Sequence, residues 1–73
     1  MKLNDGERHL FEFERGMSGS FFQNLFQAIF KADMTNLARL SLAFPEEVKA
    51  VRRFQNEDGY WDLIQSSYEK NES

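Results

Sequence analysis

A chain of 73 residues with no cysteine and a formal charge of −3 is one small domain that has no disulfides. His9 is the single histidine, too few ligands for a structural zinc site. The acidic balance argues against general nucleic-acid binding, which draws on a basic excess. No window approaches the roughly 20 apolar residues of a membrane span, and Met1–Glu7 holds no signal-like apolar core, so a cytoplasmic location with no membrane contact is expected. Eight Phe, one Trp and two Tyr must supply the core area that a chain this short otherwise lacks.

Residues 1–19 read as an N-terminal arm or a short helix. Asn4 or Asp5 offers a cap for a helix over about 5–14, with Leu10 and Phe13 on one face and Phe11 on another. The alternation Phe11-Glu12-Phe13-Glu14 suits an extended arm equally well. Gly16-Met17-Ser18-Gly19-Ser20 breaks the pattern.

A second helix is expected over 20–32. At about 100° per residue its apolar side chains, including Phe21, Phe22, Phe26 and Phe30, fill an arc of roughly 200°, about twice what the rim of a bundle needs. Either this helix is central, or part of its face meets another chain. A turn at Asp33–Asn36 leads into a helix over 35–43. Pro45, with Glu46 and Glu47 behind it, starts another over 45–56, since proline suits the first helical position and acids suit the positive helix end. Asn56-Glu57-Asp58-Gly59 is a turn. A last helix over 60–68 places Trp61, Ile64 and Tyr68 at spacing i, i+3, i+7, and 69–73 is expected to fray. The fold class is therefore all-α, a bundle of three to five short helices spanning 20–68.

Residues that carry chemistry elsewhere have simpler readings here. His9 lacks a second histidine and reads as a solvated side chain in an acidic stretch. The pairs Glu12/Glu14, Glu46/Glu47 and Glu57/Asp58 fit dipole compensation and solvation better than paired-acid catalysis. The serines lack a nucleophile elbow, and Gly16-Met17-Ser18-Gly19 lacks the lysine of a phosphate loop. No catalytic residue, metal ligand or cofactor is implied.

Two surfaces remain. Lys49, Arg52 and Arg53 share one helical face, the one coherent basic patch. It suggests a small DNA-binding regulator in which the helices over 35–43 and 45–56 form a helix-turn-helix. Against this, their junction lacks the glycine common in that turn, and the reading helix would meet DNA with Glu46 and Glu47 first. The second surface is aromatic: Phe21, Phe22, Phe30 and Trp61 are candidate anchors for a protein partner or a homodimer, with plain core packing as the simpler explanation of the set.

The run Ala43-Phe44-Pro45-Glu46-Glu47-Val48 after Ala32-Asp33, with Phe22, Leu25, Phe26 and Phe30 upstream and Gly59-Tyr60-Trp61 downstream, resembles small uncharacterised helical proteins encoded by phages and mobile elements of gut bacteria. The resemblance covers residues 20–61. It implies no activity, only a setting in which short accessory proteins act by binding another protein. The expected function is thus a non-catalytic accessory or protein-binding module whose partner is another protein, with the DNA-binding regulator as the alternative.

Overall fold

Asn4 and Glu7 settle how the chain begins. The Asn4 side chain accepts from the Glu7 backbone N–H (2.8 Å) while the Glu7 carboxylate accepts from the Asn4 N–H (3.1 Å), a reciprocal capping box. It launches α1 (Asp5–Glu14) as a helix, not an extended arm. Gly16, at φ 72°, ends it. The Gly16 N–H donates to the Phe13 carbonyl and the Met17 N–H to that of Glu12, the paired bonds of a Schellman stop. Four more helices follow: α2 (Ser20–Lys31), α3 (Met34–Ala43), α4 (Pro45–Asn56) and α5 (Tyr60–Asn71). This computed structural model describes residues 2–71. Among them there is no strand, and the chain is a small all-α bundle. Of the tail expected to fray, residues 69–71 continue α5 beyond its expected end at 68, and residues 72–73 lie outside the described residues.

Local chemistry explains the other boundaries. The Asp33 carboxylate accepts from the Asn36 N–H at 2.8 Å and starts α3. Phe44 alone joins α3 to α4, and Pro45 occupies the first turn of α4, where its missing N–H costs nothing. Gly59, at φ 82°, makes the turn before α5.

The core lies where α1, α2, α4 and α5 converge. Leu10, Phe26, Val51 and Ile64, one from each, are the largest fully buried side chains. Helices α1 and α4 form the central pair: α1 packs on α2, α4 and α5, and α4 packs on all four other helices. The broad apolar arc of α2 left two readings open, a central helix or a face that meets another chain, and α2 packs on α1 and α4 beside that centre. Gly6 explains how closely the central pair packs: a Cβ there would overlap the Glu46 carbonyl and the Glu47 nitrogen, so its absence lets α1 close onto the first turn of α4. Surrounded on three sides, α1 turns Leu10 and Phe11 inward and half-buries Phe13. Phe11 stacks between Trp61 (5.5 Å) and Tyr68 (4.1 Å), and Phe13 lies against Phe26 (5.2 Å) and Phe30 (6.2 Å). Helix α3 supplies no buried residue at all and packs chiefly on α4.

Candidate functional site

The four aromatic anchors named by the sequence divide. Phe22 is half-buried and stacks on the His9 ring at 3.9 Å. Phe30 sits between Phe13 and Phe54, and Trp61 between Phe11 and Phe54, all within the bundle's aromatic layer. Phe21 alone of the four is open to solvent, 59% exposed, with its ring 5.9 Å from that of Phe44.

The larger apolar surface lies on α3, and sequence reasoning missed it. Met34 is 77% exposed and Leu42 86% exposed, with exposed Ala38 between them. Residues 34, 38 and 42 succeed one another at i, i+4 and i+8, so they form one ridge along the helix. Leu37, Leu40 and Phe44 take the inward side and are half-buried. The available signal was the hydrophobic share of this helix: six apolar side chains on ten residues, while one inward face uses only part of them.

A depression borders the ridge on its α4 side, and a separate hollow lies toward α2 on a different face of α3. Toward α4 two hollows, of about 180 and 480 Å³, share Ser41, Val48 and Arg52 and form one trough, with Pro45 and Val48 along it and Lys49 and Arg52 at its edge. Toward α2 a hollow of about 350 Å³ is lined by Ala28, Ala32 and Leu40 together with Lys31 and Arg39. Lys31, Arg39, Lys49 and Arg52 have no ion-pair partner among the described residues.

Arg53, the third member of the basic patch, is committed differently. It donates from Nε to the Glu57 carboxylate (3.0 Å), stands 3.7 Å from Glu7 Oε2, and lies over the Tyr60 ring at 4.2 Å. The hydrogen bond to Glu57 is the main cause holding its pKa above the ordinary value. Tyr60 donates its hydroxyl to Glu7 Oε2 at 2.7 Å in a buried site. Burial, then that hydrogen bond, pushes the phenol well above its usual range. Glu7, Arg53, Glu57 and Tyr60 thus form a clasp joining α1, α4 and α5 behind the trough.

His9 is not the solvated side chain its acidic neighbourhood suggests. Its Nδ1 lies 2.9 Å from Glu47 Oε2, and its ring is held by Phe22. Glu47 is buried, so beyond compensating the α4 dipole it ties α4 to α1. Glu12 accepts from the Tyr68 hydroxyl at 3.3 Å. Among the described residues no three His, Asp or Glu side chains gather as a metal site, and no helix is long and apolar enough to cross a membrane.

The geometry bears on the helix-turn-helix idea. A recognition helix presents its N-terminal residues to base edges, yet the first turn of α4 is where α1 packs, against Glu46 and Glu47. Comparison with protein-family models, curated proteins and solved structures returns no match to this chain.

Proposed function

We propose that this chain is a non-catalytic protein-binding module that docks its partner on the exposed side of α3. One observation carries the reading: α3 has no buried residue and holds Met34 and Leu42 in solvent. Covering a Leu or Met side chain is worth about 1.5–3 kcal/mol, so a partner that covers this ridge gains affinity from surface the fold leaves unused. Phe21, next to Phe44 at the end of α3, is a further exposed apolar side chain. The resemblance of residues 20–61 to small phage and mobile-element proteins supplies a setting in which accessory chains act in this way.

A homodimer is one form the module can take. The DNA-binding alternative draws on Lys49 and Arg52, which have no ion-pair partner among the described residues, but it leaves the apolar ridge without a role and requires the obstructed end of α4. Affinity capture from the native host, with mass spectrometry and light scattering, tests the reading. The wild-type chain is expected to retain a protein that a Met34→Asp/Leu42→Asp variant of equal thermal stability releases. Equal retention by both, or a duplex-DNA shift that depends on Lys49 and Arg52 with no protein retained, would refute it.

A further inference from the structure

Charge is distributed unevenly along this acidic chain. Residues 57–73 hold five acids and one base, whereas residues 20–56 hold five bases and three acids. Two of those three acids are already engaged, Asp33 as the α3 cap and Glu47 with His9. The cations are placed with a pattern: Lys49 and Arg52 edge the hollows toward α4, and Lys31 and Arg39 line the separate one toward α2. The only carboxylate lining these hollows is Glu57, which Arg53 neutralises.

We infer that the α3 ridge and its trough receive an acidic amphipathic helix of a partner protein. The inference rests on the docking reading above and names the class of partner. An apolar ridge and trough bordered by Lys49 and Arg52, which have no ion-pair partner among the described residues, is complementary to a helix with an apolar stripe and a shoulder of carboxylates. Helix-in-groove recognition reads such a stripe through i, i+3, i+4 and i+7 anchors, and no sheet edge exists among the described residues to bind a strand instead. A phosphate backbone would use the cations but would leave Met34 and Leu42 wet. A basic partner would be repelled here and drawn to the acidic 57–73 segment.

The test is an NMR titration of the isotopically labelled full chain. Three probes are used: a designed helical peptide with Leu at i, i+3, i+4 and i+7 and Glu along one shoulder, its twin with Lys in place of Glu, and a short duplex DNA. The Glu peptide is expected to bind and to shift the Met34 and Leu42 resonances. A Lys49→Glu/Arg52→Glu variant is expected to bind it roughly tenfold more weakly, as is the wild type at high salt. Equal binding of the Lys peptide would overturn the acidic class while leaving apolar docking intact. Tighter binding of the duplex, no binding of either peptide, or a dimer of the free chain that hides Met34 and Leu42 would each overturn the inference. Capture of a host protein through Met34 and Leu42 would, even then, keep the docking reading.

Discussion

Replacing Tyr60 by Phe removes one oxygen from the clasp behind the trough and leaves its shape. The hydroxyl donates to Glu7 Oε2 at 2.7 Å in a buried position. Hydrogen bonds to charged groups contribute about 1.5–3 kcal/mol net, and the ring's contact with the Arg53 guanidinium survives in the variant. The remaining neighbour of Glu7 Oε2 is Arg53 at 3.7 Å, too long to replace the lost bond. The expected loss is about 2 kcal/mol, a large fraction of the stability of a small domain, and on the order of 10 °C in Tm. The pH dependence has a defined sign. The folded state holds the Tyr60 pKa above its usual value, so between the unfolded pKa of about 10 and the folded one the native chain keeps a proton that the unfolded chain has lost. This contribution is complete below about pH 10 and fades as pH rises beyond it. Urea and thermal melts followed by circular dichroism, at neutral pH and at alkaline pH, measure both effects. The wild type should lead Tyr60→Phe by the full margin at neutral pH and by less at high pH. In a Glu7→Gln background the same substitution should cost less, because the two groups are coupled. A Tyr60→Phe protein as stable as wild type, or a margin that stays constant above pH 10, would refute the clasp.

Gly6→Ala should lower stability by about 1–3 kcal/mol in urea melts, because its methyl meets α4 backbone, which cannot rotate away as a side chain can; a neutral result would mean that α1 and α4 do not approach this closely. Phe26→Ala should cost about 3–5 kcal/mol and Phe21→Ala much less, since the first ring is fully buried and the second largely exposed; equal losses would contradict the assignment of core and surface on α2. Met34→Asp and Leu42→Asp should each stay within about 0.5 kcal/mol of wild type, as substitutions on exposed positions do. A strong destabilisation by either would place the α3 ridge inside the fold.

The helices and most of their limits were legible because their causes are local. Asn4, Asp33 and Pro45 each act within a turn of their own position, and the expected 45–56 span is that of α4. The short α1 was ambiguous in sequence because alternating Phe and Glu suits a strand as well as a helix. The Asn4–Glu7 capping box was the signal that decides it, and it is readable from two residues three positions apart. The over-broad apolar arc of α2 pointed to exposed aromatic surface on α2 itself, where only Phe21 among its phenylalanines is exposed. Phe22 and Phe30 turn inward, while α3 carries the exposed ridge.

What the amino-acid order determined alone is the all-helical character and most of the helix starts, both properties of short range and composition. Tertiary structure decided the rest. Arg52 and Arg53 are neighbours in sequence, yet one edges an open trough and the other is drawn to Glu57 and Glu7. Tyr60 finds Glu7 across 53 residues and His9 finds Glu47 across 38. Such pairings depend on which helix faces pack, and Gly6 bears on that by letting α1 close onto the first turn of α4, the pair at the centre of the bundle.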